Sequence, residues 1–306
     1  MKTMHESTTP TKQLHGVIPA LITPLRENGT IDFTLLAKQV DYLSQAGVHG
    51  FFVNGSTAEG PYLTTQEKLE TFQCVKAASG GKQFLCAACL QASTPLVLEE
   101  LRALEPLEPD FVVAVTPYYF AVSQKVIASH YQTIARETSI PVILYNIPQC
   151  TQNKMDLETI LDLAVSGNFA GMKDSSGDFV TFSRALSHVS LPNFSWIQGN
   201  DLLDGQALFA GADGIVTGLG NVWIDPYIRL YQAQQAGEYR QLCEIQKEIY
   251  QLFGIIQAAG GKVNAAIQAG TMLMGRSRAR MKISEMSLTK AEIAAVKTVL
   301  DNLKLL

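Results

Sequence analysis

The fold is decided by stretches such as residues 111–148, which read FVVAVTPYYFAVSQKVIASHYQTIARETSIPVILYNIP. Two short apolar runs, 111–117 and 141–148, predict strands, and the segment between them, 126–139, has the apolar spacing of a helix. Two such strands joined through a helix are typical of a parallel βαβ unit. The stretch therefore predicts a parallel sheet with crossover helices.

The same alternation repeats along the chain, and the number of apolar runs decides the architecture. Further helical patterns lie at 33–47 and 64–79, with Thr or Ser near several helix starts and Gly near several ends. Eight strands suit a closed barrel better than a doubly wound sheet, so the predicted fold class is α/β, a (β/α)₈ TIM barrel. The eight runs are GVIPALIT (16–23), GFFVNG (50–55), FLCAACL (84–90), FVVAVTP (111–117), PVILYNIP (141–148), FAGMKD (169–174), FSWIQG (194–199) and DGIVTG (213–218).

The residues after the eighth run read as helices. We expect a barrel segment over 1–222 that begins with a short polar N-terminal tail, and a C-terminal helical appendage over 223–306 that packs on the barrel or on a neighbouring subunit. No low-complexity linker or internal repeat divides the chain, and a second catalytic domain is not expected. Helical patterns in the appendage lie at 223–236, 238–258 and 289–303.

Composition and charge exclude several classes of partner. The chain has 306 residues, 47% hydrophobic and 17% charged, which is enough to bury a large core in one domain. A net charge of −4 and a pI of about 5.8 offer no basic face to a nucleic acid. The first residues lack the apolar core of a signal peptide, and no apolar run reaches the roughly 18 residues that span a bilayer. We expect a cytoplasmic protein with no membrane partner.

Cysteine and histidine usage predicts neither disulfides nor a metal site. Five cysteines in a chain of this kind favour free thiols. Cys86 and Cys89 form a CxxC, but they lie in a strand-like run, where residues three apart face opposite sides, and no second CxxC completes a zinc site. Buried, inert thiols are favoured over redox chemistry. The histidines are scattered without ligand spacing: His5, His15, His49, His130 and His188.

Lys173 is the candidate nucleophile, because functional groups of such barrels lie at the C-terminal ends of the strands. It ends the sixth run, in NFAGMKDSSGD (168–178). Burial at the end of an apolar strand favours the uncharged amine, which attack on a ketone requires. The alternatives are a lysine that extends to the surface or one that pairs with Asp174. Lys262 is a weaker candidate, because it falls between helices of the appendage.

Tyr145 is the candidate proton carrier. It ends the fifth run, one strand before Lys173, so both side chains can project into the same barrel mouth. A phenol there can relay protons to and from a carbinolamine and the substrate oxygen. From its position alone, a tyrosine at the end of a strand is about equally often catalytic or only part of the barrel wall. The pairing with Lys173 favours the catalytic role.

The loop GSTAEG (55–60), after the second run, is the candidate anion site. It combines two hydroxyls with backbone N–H groups between glycines, and such a nest binds a carboxylate as well as a phosphate. No P-loop lysine and no GxGxxG accompanies it, so nucleotide binding is not indicated; a plain tight turn is the alternative.

Tyr118 and Tyr119 follow the fourth run, again at the end of a strand. Aromatic packing at an interface is the ordinary interpretation of such a pair, and it does not exclude a function.

Taken together, these motifs resemble the dihydrodipicolinate synthase and N-acetylneuraminate lyase superfamily over nearly the whole chain. GSTAEG, TPYY, LYNIP and GMKDSSGD occur in the order of that superfamily and at compatible spacing. GND (199–201) and GADGIVTGLGN (211–221) resemble its last two strand ends. The resemblance implies a pyruvate-dependent class I aldolase on a TIM barrel, with no cofactor other than the covalent imine and no metal.

The resemblance also implies roles for individual residues. The residue matching the imine-forming lysine is Lys173, and Tyr145 matches the tyrosine that shuttles protons. Ser56 and Thr57 match the residues that hold the pyruvate carboxylate. Tyr119 is implied to be catalytic by reaching the active site of a neighbouring subunit, in a homotetramer built as a dimer of dimers. Substrate-binding positions are further implied at Gly199, Asp201 and Thr217.

Departures from the family pattern bear on the substrate. Cys150 stands where the synthases usually carry an arginine that meets the carboxylate of the second substrate. Leu202 and Gly218 stand where the sialic acid lyases usually have a glutamate and a serine. The stretch FFVNGSTAEGPYLTTQEKLE is more similar to 2-keto-3-deoxygluconate aldolases, although Ala58 replaces their loop glycine. The departures therefore favour a sugar-acid aldolase.

The sequence leads to one hypothesis for function and several alternatives. We expect a Schiff-base-forming lyase that reversibly cleaves a 2-keto-3-deoxy sugar acid to pyruvate and an aldehyde. Alternatives with related chemistry are 4-hydroxy-tetrahydrodipicolinate synthase, N-acetylneuraminate lyase and a keto-deoxy sugar acid dehydratase. The alternative from another class is a non-catalytic barrel that binds a 2-keto acid, which predicts ligand-dependent stabilisation without turnover.

Overall fold

Each of the eight predicted runs contains one strand of the structure. The computed structural model describes residues 14–188 and 191–306, and the predicted polar tail lies outside them. The strands are β1 (Gly16–Pro19), β2 (Gly50–Val53), β3 (Phe84–Cys89), β4 (Phe111–Val115), β5 (Val142–Asn146), β6 (Phe169–Asp174), β7 (Ser195–Gln198) and β8 (Gly214–Thr217).

The strands are parallel and close into a barrel. Their order is β1-β8-β7-β6-β5-β4-β3-β2, so from β2 to β8 each strand pairs with the next one in sequence, and β1 pairs with β8. The remaining gap, between β1 and β2, is bridged by backbone hydrogen bonds: the N–H of His49 donates to the Val17 carbonyl at 3.0 Å, and the N–H of Leu21 donates to the Phe52 carbonyl at 3.0 Å. The predicted (β/α)₈ TIM barrel is confirmed.

Helices follow the strands and continue beyond β8. Short 3₁₀ turns lie at Gly60–Tyr62, Glu105–Leu107, Asp201–Leu203, Leu219–Asn221 and Ser284–Met286. The α-helices are α1 (Phe33–Gln45), α2 (Thr65–Ser79), α3 (Thr94–Leu104), α4 (Gln124–Glu137), α5 (Pro148–Thr151), α6 (Leu157–Val165), α7 (Phe179–His188), α8 (Asp204–Phe209), α9 (Asp225–Gln235), α10 (Tyr239–Ala258), α11 (Val263–Leu273) and α12 (Lys290–Asn302).

Helix α11 is the one α-helix of the C-terminal region that the sequence pattern did not predict. Most of its residues are buried, among them Gln268 and Thr271, so no polar stripe marks a solvent face. Lys262 is its N-cap residue and forms an ion pair with Glu292 at 2.7 Å, which leaves it outside the barrel mouth. The division of the chain at residue 222 stays a prediction.

Two layers of core result from the alternation along each strand. One set of strand residues fills the barrel interior and the other packs under the helices, as expected for side chains of period two. Cys86 belongs to the interior and Cys89 to the outer layer, so the two thiols of the CxxC face opposite sides as predicted. Burial raises the pKa of both thiols. The interior includes Ile18, Phe52, Val113, Ile143, Tyr145, Ile197 and Val216.

The C-terminal region is anchored to the loop after β8 by a buried arginine. The guanidinium of Arg276 lies 3.7 Å from the centroid of the Tyr42 ring in α1. Its Nη2 donates to the carbonyls of Asn221 and Val222 at 3.0 and 2.7 Å. A buried guanidinium requires such partners, because its donors would otherwise be left without hydrogen bonds. The C-terminal helices are therefore fixed close to the catalytic end of the barrel.

Candidate active site

Lys173 and Tyr145 lie side by side in the barrel mouth. They are register partners on β6 and β5, and both face the barrel interior. The Nζ atom of Lys173 lies 3.7 Å from the centroid of the Tyr145 ring and 4.6 Å from that of Phe52. The two side chains are almost fully buried, with 5% and 2% of their surface exposed. The amine therefore rests on aromatic faces in a dry environment.

Asp174 does not neutralise Lys173. Successive strand residues point to opposite sides, and the carboxylate of Asp174 instead accepts hydrogen bonds from Asn146 Nδ2 at 2.8 Å and from the Ser176 hydroxyl at 2.7 Å. Burial raises the pKa of Asp174, and these hydrogen bonds oppose the rise. Within residues 14–188 and 191–306, Lys173 forms no ion pair. The alternative in which Lys173 pairs with its neighbour thus finds no support in the geometry.

Ser175 and Gly199 form the wall beside the amine and the phenol. The Ser175 hydroxyl donates to the Gly199 carbonyl at 3.0 Å and lies 3.4 Å from the Tyr145 hydroxyl. A Cβ atom on Gly199 would come within 2.7 Å of Lys173 Cε and 2.4 Å of Ser175 Oγ. Gly199 therefore supplies the space in which the lysine side chain lies. Sequence reasoning identified Gly199 but missed Ser175, although it stands only two residues after Lys173.

The loop 55–60 uses part of its backbone to hold its own shape. The N–H groups of Ala58 and Gly60 donate to the Gly55 carbonyl at 3.1 and 3.0 Å, and the N–H of Glu59 donates to the Ser56 carbonyl at 3.0 Å. In the described part of the chain, the N–H groups of Ser56 and Thr57 have no acceptor. Two free N–H groups beside two hydroxyls form a nest that suits a carboxylate. The loop therefore has a geometry compatible with an anion nest, and its role as an anion site stays a prediction.

Phe52 connects this cradle to the lysine. A Cβ atom on Gly55 would lie 2.6 Å from the Phe52 ring, and the same ring lies under the Lys173 amine. The loop thus begins about one aromatic ring away from the nucleophile. Sequence reasoning missed Phe52, because only the strand register distinguishes it from its neighbour Phe51, which packs in the outer layer.

Glu59 and Gly60 fix the far side of the cradle. Glu59 has a left-handed backbone, with φ of 57°, and its buried carboxylate accepts a hydrogen bond from the Lys282 N–H at 3.0 Å. Burial raises the pKa of Glu59, and Lys282 opposes the rise. A Cβ atom on Gly60 would lie 2.0 Å from the Asn54 carbonyl oxygen, so only glycine fits this turn.

Asp201 and Thr217, both predicted to bind substrate, are bonded to each other. The Thr217 hydroxyl donates to Asp201 Oδ1 at 2.5 Å, and the Tyr227 hydroxyl donates to the same oxygen at 2.7 Å. Burial raises the pKa of Asp201, and the two hydroxyls oppose the rise. The structure thus brings the two residues together in a polar network that includes Tyr227, which the sequence pattern did not single out.

Tyr119 lies outside the mouth of its own chain. Its side chain is 77% exposed, next to Phe120 at 73%, and its backbone has a positive φ of 80°. Tyr118 instead donates its hydroxyl to the Leu90 carbonyl at 3.2 Å, and burial raises its pKa. The structure therefore brings Lys173 and Tyr145 together within one chain but leaves Tyr119 facing outward.

The residues that depart from the family pattern lie around the mouth. Cys150 lies in α5, directly after β5; partial burial raises the pKa of its thiol, and the positive charge of Lys173 lowers it. A Cβ atom on Gly218 would lie 3.3 Å from Thr57 Oγ1, which makes Gly218 a wall of the cradle. Leu202 is half-buried. No side chain of these three offers a cation or a carboxylate to a substrate.

Neither a metal-binding cluster nor a membrane-spanning helix is found among the described residues. Among the residues that the structure describes, no group of three or more His, Cys, Asp or Glu side chains is arranged to hold a metal ion. None of the described helices has the length and apolar character needed to cross a bilayer. The arrangement of an amine, a phenol and an anion nest is suited to imine chemistry on a keto acid.

Comparison with known proteins gives one consistent result. The model of the dihydrodipicolinate synthetase family matches residues 13–302. A 4-hydroxy-tetrahydrodipicolinate synthase of Moorella thermoacetica is 32% identical over 237 residues, which are 78% of this chain and 81% of that protein. The enzyme of the same name from Staphylococcus haemolyticus is 28% identical over 290 residues, 94% of this chain and 97% of that protein.

The fold is also similar to solved structures. The crystal structure of the chloride-inhibited dihydrodipicolinate synthase of Acinetobacter baumannii, complexed with pyruvate, superposes with a TM-score of 0.90. The sequence identity is 22%, and the match covers 96% of this chain and all of that one, 100%. At this identity the likeness concerns the fold, a TIM barrel with C-terminal helices.

Proposed function

Because the chain belongs to the dihydrodipicolinate synthetase family, and is thus a pyruvate-dependent carbon–carbon lyase of the class I aldolase type, we propose that it reversibly cleaves a 2-keto-3-deoxy sugar acid to pyruvate and an aldehyde. The supporting observation is the buried amine of Lys173 over the Tyr145 ring, one aromatic ring away from the start of the anion cradle. The small-molecule partners are pyruvate and an aldehyde.

The first half of the proposed reaction forms the imine. Ser56 and Thr57 hold the substrate carboxylate through the two free N–H groups and their hydroxyls. The uncharged amine of Lys173 attacks the C2 carbonyl to give a carbinolamine. Tyr145 relays a proton to the departing hydroxyl, water leaves, and a protonated imine remains. The step needs the amine in its uncharged form, and the geometry gives it the Tyr145 and Phe52 rings as neighbours and no ion-pair partner among the described residues.

The second half breaks the carbon–carbon bond. Tyr145 accepts the proton of the C4 hydroxyl, and the electron pair of the C3–C4 bond moves into the protonated imine, which becomes an enamine. The aldehyde leaves, C3 of the enamine takes a proton, and water hydrolyses the imine to release pyruvate and the free lysine. No cofactor or metal takes part, because the protonated imine is the electron sink.

Ser175 and Gly199 have supporting roles in this proposal. The Ser175 hydroxyl lies within 3.4 Å of the Tyr145 hydroxyl, so it can hold the phenol in the orientation that proton transfer requires. Gly199 leaves room for the lysine, and its carbonyl fixes Ser175. Asp201 and Thr217 form the polar wall near the β7 and β8 ends, with Asp201 as the acceptor for substrate hydroxyls.

The substrate class is inferred from what surrounds the mouth. Cys150, in the short helix directly after β5, stands where a synthase needs a cation for the carboxylate of its second substrate. A neutral aldehyde, as produced from a keto-deoxy sugar acid, needs no such cation. The second candidate is 4-hydroxy-tetrahydrodipicolinate synthase, which is favoured by the names of the relatives from Moorella thermoacetica and Staphylococcus haemolyticus.

A homotetramer built as a dimer of dimers belongs to the same proposal. Tyr119 and Phe120 are large aromatic residues exposed beside the mouth, with ring centroids 5.0 Å apart. Exposed aromatic clusters of this kind are typical of interfaces. In the proposed assembly Tyr119 of each subunit reaches the active site of its neighbour. Sedimentation of the Tyr119→Ala variant should show a weaker assembly, together with reduced turnover.

The experiment that tests the proposed function traps the imine. Treatment with pyruvate and borohydride should add one reduced pyruvyl group at Lys173, located by peptide mass spectrometry. Lys173→Ala should not be labelled, whereas Lys262→Ala, which changes a lysine paired with Glu292 away from the mouth, should be labelled normally. An unlabelled wild type would overturn the proposed function.

A panel of aldehydes then assigns the substrate class. Condensation of pyruvate with neutral hydroxylated aldehydes, at a higher kcat/KM than with aspartate semialdehyde, is the expected result. The opposite preference would support the synthase. Labelling and stabilisation by pyruvate without turnover of any aldehyde or keto-deoxy acid would support a non-catalytic binding protein.

A further inference from the structure

Helix α11 directs two side-chain amides toward the loops of the active site. Asn264 Nδ2 donates to the Ser56 carbonyl at 2.8 Å, and Gln268 Nε2 donates to the Thr23 carbonyl at 2.8 Å. Residues four apart lie on one face of a helix, so both amides face the barrel mouth. This helix belongs to the C-terminal region, which sequence reasoning assigned to packing alone.

The bond from Asn264 determines the direction of one peptide group of the cradle. A trans peptide is planar, so the carbonyl of Ser56 and the N–H of Thr57 point in opposite directions. The Ser56 carbonyl is held by two donors, Asn264 Nδ2 and the N–H of Glu59 at 3.0 Å. The Thr57 N–H is therefore turned away from α11, where the described residues offer it no acceptor.

A second chain of contacts from α11 reaches the same loop. The Thr23 hydroxyl donates to the Ala58 carbonyl at 2.8 Å, and Gln268 fixes the backbone of Thr23. Ile267 packs against Gly218: a Cβ atom on that glycine would lie 3.1 Å from the Ile267 side chain and 3.3 Å from Thr57 Oγ1. Thr23 and Gln268 are almost completely buried, so these contacts are shielded from water. The Ser56 and Ala58 carbonyls of the loop thus both accept hydrogen bonds from side chains outside it.

We propose that Asn264 is a positioning residue for the carboxylate of the 2-keto acid, acting through the Ser56 peptide. The inference rests on the proposed function, because it concerns the carboxylate that the cradle binds. Without the Asn264 amide, the Ser56 carbonyl keeps only the Glu59 N–H, and the peptide can rotate the Thr57 N–H out of the cradle. The amine of Lys173 and the phenol of Tyr145 stay where they are.

A set of substitutions at Asn264 separates this role from packing. Asn264→Ala removes the donor, and Asn264→Asp keeps the shape but turns the donor into an acceptor that repels the Ser56 carbonyl. Asn264→His retains an N–H donor at similar reach. The matched control is Val263→Ala, an exposed position of the same helix. We expect the pyruvate concentration for half-maximal borohydride trapping to rise roughly fivefold to tenfold in Asn264→Ala, consistent with loss of one buried hydrogen bond.

Acetone provides the decisive comparison, because it forms an imine but has no carboxylate. Asn264→Ala and Asn264→Asp should weaken trapping by pyruvate. Trapping by acetone should change less than about twofold, and so should the maximal labelled fraction, because neither depends on the altered site. Asn264→His should recover most of the pyruvate affinity. KM for the keto acid should rise with kcat nearly unchanged.

Three other outcomes would count against the role proposed for Asn264. Unchanged pyruvate dependence in Asn264→Ala would overturn it while leaving the imine mechanism intact. An equal loss with acetone, or a similar loss in Val263→Ala, would show that α11 acts only by supporting the fold. A wild-type protein that pyruvate and borohydride do not label would overturn this inference and the proposed function together.

Discussion

The amine of Lys173 lies over the face of the Tyr145 ring, 3.7 Å from its centroid, and not beside its hydroxyl. The face of a phenol ring attracts a cation weakly, and it donates no hydrogen bond to the lone pair of a neutral amine. The hydroxyl of Tyr145 lies near Ser175, 3.4 Å from its Oγ. One side chain thus has two separable parts, a ring that supports the nucleophile and a hydroxyl that can carry protons.

Tyr145→Phe tests this separation. The variant keeps the ring under Lys173 and removes the hydroxyl, so imine trapping by pyruvate should still reach completion. Turnover should fall by about 10²- to 10⁴-fold, the range for loss of a general acid–base group. The measurements are kcat for keto-acid cleavage and the labelled fraction by intact mass. Tyr239→Phe is a suitable control, because Tyr239 is the first residue of α10 and its side chain is exposed. Equal turnover in the wild type and Tyr145→Phe would exclude the phenol as the proton carrier.

Gly199→Ala tests the space around the lysine. The added Cβ would lie 2.7 Å from Lys173 Cε and 2.4 Å from Ser175 Oγ, closer than packed atoms tolerate. We expect the lysine to be displaced and imine trapping to fall at least tenfold, with a loss of stability of about 1 to 3 kcal/mol. Gly254→Ala, in α10, is the control, because its Cβ would meet only Val299 at an ordinary 3.4 Å. Normal trapping by Gly199→Ala would contradict the role assigned to this glycine.

The architecture and the central pair could be predicted from the sequence because both depend on local pattern. Apolar runs identify strands wherever they pair, and the C-terminal ends of parallel strands meet at one end of a barrel. Lys173 and Tyr145 therefore had to lie near each other once the eight strands were counted. Their contact through the ring face, and not the hydroxyl, is a matter of rotamers that the pattern does not contain.

The supporting residues could not be predicted, because their roles depend on register and on long-range contacts. Phe52 and Phe51 are adjacent in GFFV, and a shift of one residue in register would exchange interior and outer faces. Asn264 donates a hydrogen bond to the Ser56 carbonyl although the two residues lie 208 positions apart in the sequence. A helix with buried polar residues such as Gln268 also lacks the amphipathic stripe by which helices are identified. The sequence signals for these residues are therefore weak.

The buried ion pair between Lys68 and Glu100 predicts a strong asymmetry between single and double variants. The two charges lie 2.7 Å apart between α2 and α3, and each side chain is 3% exposed. Lys68→Met leaves the buried Glu100 carboxylate without its positively charged partner, although the Gln91 amide still donates to it, and should cost about 3 to 5 kcal/mol. The double variant Lys68→Met/Glu100→Leu should recover most of that loss, because no isolated charge remains. Urea unfolding of the four proteins completes the cycle, and additive losses would contradict the buried pairing.

Exposed pairs provide the matched comparison. Lys297 and Asp301 lie 2.7 Å apart on α12, with about half of each side chain exposed to solvent. Water screens such a pair, so Lys297→Met should change the free energy of unfolding by less than about 1 kcal/mol. A loss as large as that of Lys68→Met would show that burial does not govern the cost.

His130 gives the protein a component of acid sensitivity that a single substitution can isolate. The ring is buried between α4 and β4, with Nε2 3.0 Å from the Val115 carbonyl and Nδ1 2.8 Å from the Thr94 hydroxyl. Burial lowers its pKa from 6.5 to about 4, against the opposing effect of the Val115 carbonyl. The folded protein therefore keeps this ring neutral at pH values where the unfolded chain already protonates it.

The sign of the pH effect follows from proton binding. Between pH 6.5 and about 4 the unfolded state binds more protons at His130, so the free energy of unfolding falls as the pH falls, by up to about 3 kcal/mol, and levels off below the folded pKa. Buried carboxyls with raised pKa values, such as Asp201, contribute in the opposite direction in any variant. His130→Gln should be less stable at pH 7.5, because its hydrogen bonds are less well made, yet should lose less stability on acidification. The difference between the two urea-unfolding curves against pH isolates the histidine, and parallel curves would mean that folding does not lower the pKa of the ring.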